Sequence, residues 1–430
     1  MVSAPRQIAA RLLWAADAPG DFLENRLEHD PGFGSLHPDD RRLAQELVFG
    51  VTRWRAALDW LVARKTNGRS QEASVQTLLR LGLYQLFWLD RIPEFAAVNE
   101  TVQLARDAGM VSQSGFINAV LRGCLREGEA LAKALDDLRT TDPATGWSHP
   151  AWLVERWKTV LDADELRQLL AWDNTPPRTF ARANTLCMSA AQLCERWRVE
   201  EVGHDLRAYD WTGPDLVFPL RAHPSLAELP SFRQGGFYIQ DPSTLLAVHE
   251  LGPLPGETIL DFCAAPGGKT TFIAQLMGNR GRIVAHDLSA GRLALVRENC
   301  ARLCVSCVEP VADADAALPP GRTYDRILVD APCSNTGVLR RRVELRWRLS
   351  PQEITRLAAE QASILRQVAP ALKPGGTLVY STCSLESEEN HDVVARFVEE
   401  APAFELVREM QLHPVIAEVD GAYVAVLRRK

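Results

Sequence analysis

The stretch Asp261-Phe262-Cys263-Ala264-Ala265-Pro266-Gly267-Gly268-Lys269-Thr270 decides the fold. It ends the apolar run Thr258–Phe262, which has strand length, and it leads into a helical pattern over 271–277. Small residues and two adjacent glycines let a ligand approach the backbone closely, and the next helix offers unpaired N–H groups. Downstream the alternation repeats: strand 282–287, helix 291–303, strand 325–330, long helix 351–372, strand 376–382, helix 388–399. A last apolar run, 422–427, has no helix after it. Strands alternating with helices predict a parallel, doubly wound sheet with right-handed crossovers. Such sheets bind ligands at the carboxyl ends of their strands, so polar residues just past each strand are the candidate site.

Three chemistries use a glycine turn in this place. A dinucleotide site wants G-x-G-x-x-G, which is absent. A phosphate-binding loop wants G-x-x-x-x-G-K-[ST]. Gly268-Lys269-Thr270 supplies its end and Val329-Asp330 resembles the accompanying acidic strand end, but Cys263 stands where the first glycine is required. The third is an S-adenosyl-L-methionine site, in which the turn wraps the methionine part of the donor. A carboxylate ending the second strand then binds the ribose hydroxyls, about 20 residues past the glycines by analogy with dinucleotide sites. Asp287 lies 19 residues after Gly268. Alone it reads equally well as a helix cap; spacing and position together favour the ligand role.

Two further strand ends carry cysteines, Asp330-Ala331-Pro332-Cys333-Ser334 and Tyr380-Ser381-Thr382-Cys383-Ser384. Both cysteines should line the crevice of the glycine turn. Cytosine C5 is a poor nucleophile, and a thiolate that adds to C6 pushes electron density onto C5, which can then accept a methyl group. That chemistry needs an accessible thiolate favoured by nearby positive charge, for which Lys269 is the candidate. Asp330 is placed to hydrogen-bond the base edge near N3 and N4, and the base must be flipped out or single-stranded to reach it. Chemistry alone does not choose between the cysteines. Cys124, Cys187 and Cys194 read as small packing residues. Cys300, Cys304 and Cys307 have the C-x3-C-x2-C spacing of radical iron–sulfur enzymes. They begin inside a crossover helix, however, and Ser306 stands where an aromatic is usual, so packing is preferred and no metal is expected.

The chain of 430 residues, 46% hydrophobic and 24% charged, has an ordinary globular composition and a length for two or three domains. No uncharged apolar run approaches the ~18 residues of a spanning helix, so no membrane partner is expected. Arg11 interrupts the apolar stretch that ends near Ala16-Asp17-Ala18, which argues against a secretion signal. Nine scattered cysteines, an odd number, place the protein in a reducing cytoplasm. Residues 1–140 read as helical, with Leu43, Leu47, Val48, Val51, Leu58, Leu61 and Val62 at helical spacing and Trp54, Trp60 and Trp88 as packing residues. Residues 141–236 read as a linker and small α+β connector, and 237–430 as the catalytic domain. The net charge of −7 argues against indiscriminate nucleic-acid binding. The helical part is near neutral, with 17 Lys and Arg against 19 Asp and Glu over 1–145. Residues 331–350 hold Arg340, Arg341, Arg342, Arg346 and Arg348 against Glu344 alone, with Trp347 among them, and this run is the expected contact for nucleic-acid phosphates.

Taken together, the glycine turn and the two cysteine motifs closely resemble the RNA cytosine-5 methyltransferases of the Sun/Fmu (RsmB-like) family. Ala97-Val98-Asn99-Glu100-Thr101-Val102 and Gly115-Phe116-Ile117-Asn118-Ala119-Val120-Leu121-Arg122 are similar to the NusB-like helical RNA-binding domain of its bacterial members. The resemblance covers nearly the whole chain. It implies an all-α NusB-like domain, the connector and a Rossmann-like methyltransferase domain. It also implies methylation of a 16S ribosomal RNA cytosine from S-adenosyl-L-methionine, on free RNA or an assembling small subunit; the sequence leaves the oligomeric state open, with a monomer favoured. By resemblance the donor loop is Cys263, Ala264, Ala265, Pro266, Gly267, Gly268 and Lys269. The ribose carboxylate is Asp287, and the adenine-side carboxylate is Asp313, with Asp315 as an alternative. Asp330 is the fourth-strand carboxylate, Cys383 the nucleophile and Cys333 the residue that assists product release. Two features depart from the family pattern: Pro242 replaces a small residue, and the stretch from Met410 to Gly421 is short. The rival reading is an RNA-binding assembly factor with a vestigial transferase fold.

Overall fold

Phe262 pairs with His286 on one side and with Val329 on the other, and Asp330 pairs with Ser381. This parallel register levels the carboxyl ends of four neighbouring strands, which is what gathers the motifs. The computed structural model describes residues 2–15 and 22–430. The end of the leader-like stretch, Ala16-Asp17-Ala18, lies outside the described residues. The chain divides into two units, Met1–Thr175 with Arg342–Arg348, and Pro176–Arg341 with Leu349–Lys430.

The first unit is helical. The apolar stripe of the sequence is split between helices Pro38–Arg53 and Arg55–Lys65, which bury Leu47, Val48, Val51, Leu58, Leu61 and Val62. They share a core with helix Ala73–Trp88, which contributes Leu78, Leu79, Leu81 and Leu83. Trp54 and Trp88 pack at 5.2 Å between ring centroids, as packing residues should. Glu100, from the NusB-like motif, accepts hydrogen bonds from Ser3 N and Oγ and pairs with Arg6 at 3.2 Å, tying down the first helix, Ala4–Trp14.

The second unit carries two sheets. The smaller is antiparallel, with strands β1 (Thr179–Ala183), β2 (Gly203–His204), β3 (Val217–Ala222) and β4 (Phe237–Ile239) in the order β2-β3-β1-β4. Trp197 is fully buried against it, edge-on to Phe218 and Phe237. The larger sheet contains β5 (Thr258–Phe262), β6 (Arg282–His286), β7 (Val308–Val311), β8 (Tyr324–Asp330), β9 (Leu372–Thr382), β10 (Phe404–Leu412) and β11 (Ala422–Arg429). Its order is β10-β11-β9-β8-β5-β6-β7.

The all-parallel expectation is corrected at one edge. β11 runs antiparallel to β9, and β10 antiparallel to β11. The run 422–427 has no following helix because it returns beside β9 instead of crossing over. β10 is a strand without a clear signal in the sequence. Its Phe-Glu-Leu-Val-Arg-Glu-Met-Gln-Leu mixes charged and apolar residues around a bulge, as an edge strand does.

Candidate active site

The glycine turn leaves β5 at Cys263, whose N–H donates to His286 O at 2.9 Å, and Ala264 N donates to the same oxygen at 2.8 Å. Cys263 and Gly267 have φ of +88° and +101°, which fold the turn back onto helix Gly268–Leu276. The positive φ at Gly267 is one glycine permits, and a Cβ at Gly268 would meet Tyr238 at 3.0 Å. Arg182, on β1, supports the turn from behind. Fully buried, it donates to Gly268 O at 2.8 Å, Gln240 Oε1 at 2.7 Å and Thr271 Oγ1 at 3.1 Å, and burial depresses its pKa to about 9. Nothing local in the sequence marks Arg182, because its partners lie 58 or more residues away.

Asp287 follows β6 and is nearly fully buried; its carboxylate accepts from Ala265 N at 3.3 Å and Ser289 N at 3.0 Å. Asp313 follows β7 and accepts from Asp315 N at 3.0 Å, capping the short helix Ala314–Ala317. Asp315 sits inside that helix rather than at the strand end. A turn whose glycines leave room for a ligand, with carboxylates just past the next two strands, fits an adenosyl donor.

Lys269 reaches across to Asp330, Nζ to Oδ2 at 2.7 Å, while Ser381 Oγ donates to Asp330 Oδ1 at 3.0 Å. Burial works against the lysine charge, but Asp330 and, more weakly, Cys383 and Asp261 favour it and hold the ammonium above its usual value. Fifty residues apart in sequence, Cys333 and Cys383 bring their sulfurs to 3.3 Å. Cys383 S–H donates to Asn335 Oδ1 at 3.1 Å, so the sulfur–sulfur contact takes its proton from Cys333. The hydrogen bond to Cys383, burial and the charge of Glu389 push the Cys333 thiol well up. Burial likewise pushes up the Cys263 thiol.

The structure thus brings 263–269, Asp287, Asp330, Cys333 and Cys383 to the carboxyl ends of the parallel strands. Asn335 belongs with them; its only signal in the sequence is that an Asn two residues past Pro-Cys tolerates the φ of +61° found there. Cys300 is buried in the core, Cys304 lies in an exposed turn, and Cys307 precedes β7. Among the described residues no cluster suited to a metal ion is present.

The arginine run is a correction. Arg340 and Arg346 are buried rather than solvated. Arg340 Nε donates to Asp420 Oδ1 at 2.9 Å, and Arg341 bonds both Asp420 and Asp241. Arg346 donates to Ser148 O, Asn174 Oδ1 and Asp173 O, and Arg348 pairs with Glu344. Trp347 Nε1 donates to Thr52 O at 2.7 Å. Arg342 remains exposed, over the ring of Phe22. A count of charges along the chain cannot see Asp241 and Asp420, which lie about 80 to 100 residues away and pair with Arg340 and Arg341.

A curated relative, the probable ribosomal RNA small subunit methyltransferase B of Bacillus subtilis (strain 168), is 35% identical over 92% of each chain. The chain belongs to the 16S rRNA methyltransferase RsmB/F family. That family's model matches residues 248–427, the NusB family model matches 3–126, and the RsmF/B-like ferredoxin-like domain matches 149–210. The ribosomal RNA small subunit methyltransferase B of Erwinia tasmaniensis is 36% identical over 98% of each chain. The crystal structure of a methyltransferase homologue from Pyrococcus horikoshii is 29% identical. It covers 67% of this chain and 98% of its own, with a TM-score of 0.59. Membership of the RsmB/F family makes this chain a methyltransferase and sets aside the reading as a vestigial assembly factor. The ferredoxin-like match falls on the connector, whose antiparallel sheet carries Arg182 to the glycine turn.

Proposed function

We propose that this methyltransferase transfers a methyl group to C5 of a specific cytosine of 16S ribosomal RNA, through covalent addition of Cys383 to C6. The observation that carries the reading is the 3.3 Å approach of the Cys333 and Cys383 sulfurs beside the Lys269–Asp330 pair. The residues fit S-adenosyl-L-methionine as donor. The turn from Cys263 to Lys269 would hold its methionine part, Asp287 its ribose and Asp313 its adenine side, with Asp330 closing the site. When bound, S-adenosylmethionine supplies an electrophilic methyl group.

The chain's own residues supply the rest. Lys269 favours the Cys383 thiolate, whose sulfur forms a bond to C6 and makes C5 nucleophilic. Asp330 holds the edge of the flipped base. Once C5 carries the methyl group it loses its proton to a base, the C6–S bond breaks, and the electron pair returns to Cys383. Cys333, holding its proton 3.3 Å from that sulfur, assists the release.

The test is tritiated-methyl transfer to unmodified 16S RNA by Cys383→Ala and Cys333→Ala side by side. The reading expects no transfer from Cys383→Ala and a trapped RNA adduct with Cys333→Ala. Loss in Cys333→Ala alone would reverse the two assignments.

A further inference from the structure

Each of the two cysteines is followed by a serine, and both serines converge on one carboxylate. Glu389 is fully buried. Its Oε1 accepts from Ser334 N at 2.8 Å and from Gln361 Nε2 at 3.1 Å. Its Oε2 accepts from Ser384 Oγ at 2.5 Å and from Ser334 Oγ. Four donors on two oxygens is the pattern an ionised carboxylate wants. Gln361 also donates to Pro332 O at 2.8 Å, so the residues on both sides of Cys333 are held by this one pair.

The backbone of Glu389 is fixed in turn, its carbonyl accepting from Tyr380 Oη at 2.6 Å. The next residue, Asn390, grips the other turn: Thr382 Oγ1 donates to its Oδ1 at 2.6 Å, and its Nδ2 donates to Ser384 O at 2.9 Å. Neither Glu389 nor Asn390 contacts either sulfur in this network. We propose that Glu389 is a positioning residue, which clamps the Pro332–Ser334 and Thr382–Ser384 turns so that the two sulfurs share one crevice. Its charge, buried beside both turns, opposes ionisation of Cys333. This rests on the reading of Cys383 as the nucleophile and adds a residue through which that geometry is set. The direction of the Cys333 shift, to which Glu389 contributes, agrees with it.

The test compares Glu389→Ala and Glu389→Gln with the full-length wild type. It measures kcat and KM for methyl transfer to unmodified 16S RNA and the pH profile of iodoacetamide alkylation, resolved peptide by peptide. Glu389→Ala is expected to lower kcat by about 100-fold with KM little changed, because the turns lose their common anchor. Glu389→Gln keeps an oxygen for Ser334 N and an amide for the two hydroxyls. It is expected to recover most of kcat, yet to alkylate Cys333 at lower pH because the charge is gone. A merely structural role would not move that profile. An unshifted Cys333 profile in Glu389→Gln overturns the proposal, and this readout stands even where Glu389→Ala fails to fold. Wild-type kcat in Glu389→Ala also overturns it. Cys383→Ala in the same assay separates the two claims: retained transfer there overturns the nucleophile assignment beneath, whatever the Glu389 variants do.

Discussion

Arg340 Nε lies 2.9 Å from Asp420 Oδ1, and both side chains are almost completely buried. Removing Asp420 leaves the buried Arg340 and partly buried Arg341 guanidiniums to share the Asp241 carboxylate, and breaking a buried ion pair costs far more than the pair contributes. Asp420→Ala is therefore expected to lower the unfolding free energy by about 3–5 kcal/mol. Arg342→Glu, on an exposed side chain, should change it by no more than about 0.5 kcal/mol. Denaturant titration of the two variants checks this. Equal small effects would return the arginine run to the surface role its charge suggests.

The Lys269–Asp330 pair makes a second prediction. Lys269→Met keeps the stem and removes the buried cation paired with Asp330. Methyl transfer should fall by about 100-fold, the scale of losing one preorganised electrostatic group. Methyl transfer by Lys269→Met close to the wild-type rate would limit Lys269 to packing the turn.

Gly337 sits where the Cys333 loop passes the Cys383 turn. Its N–H donates to Cys383 O at 2.9 Å and its carbonyl accepts from Gly421 N at 2.8 Å. A Cβ there would stand 2.8 Å from both Cys383 O and Gly421 Cα, backbone atoms that cannot swing aside. Gly337→Ala should cost about 1–3 kcal/mol, as overpacking does, and should reduce methyl transfer together with stability. Gly375→Ala is a poor control because φ there is +76°; Gly115, helical with open space around it, is the proper one. Equal stability of Gly337→Ala and Gly115→Ala would remove the contact from the account.

Asp261 predicts a pH effect. Fully buried under the turn, it accepts from Thr270 Oγ1 at 2.6 Å, and burial raises its pKa from 3.8 to about 7, the Thr270 bond opposing and the Asp330 charge adding. Between those values the native state holds a proton that the unfolded chain releases. Its contribution to the unfolding free energy therefore falls as pH rises through that window, by up to about 1.4 kcal/mol per pH unit. Asp261→Asn, which cannot ionise, should flatten that part of the stability profile measured by denaturant titration. An unchanged profile would mean that Asp261 is ionised throughout.

Much of the catalytic half was legible because its information is local. β5, β6, β8 and β9 begin or end within a few residues of the predicted limits, since apolar runs bounded by Gly, Pro and Asp declare themselves. Asp287, Asp330, Cys333 and Cys383 follow strand ends in the sequence, and a level parallel register places them together. What failed had non-local causes. β10 alternates weakly, and its pairing with β11 is decided by an edge that only the assembled sheet provides. Glu389 stands in Ser-Leu-Glu-Ser-Glu-Glu-Asn, where any of three glutamates reads as a solvated helix start. Only packing shows that Glu389 turns inward to two serines while Glu388 does not.

The sequence by itself determined the alternation of strands and helices from β5 to β9, the glycine turn and the residues presented at those strand ends. Each depends on periodicity or on neighbours a few residues away. Only the tertiary structure decided which charges are solvated and which are buried. It paired Arg340 with Asp420 and Arg341 with Asp241, and it drew Cys333 and Cys383 to 3.3 Å under the clamp of Glu389. Coulomb and hydrogen-bond energies depend on distance in space, and chain separations of 50 to 100 residues carry no record of it until the fold closes them.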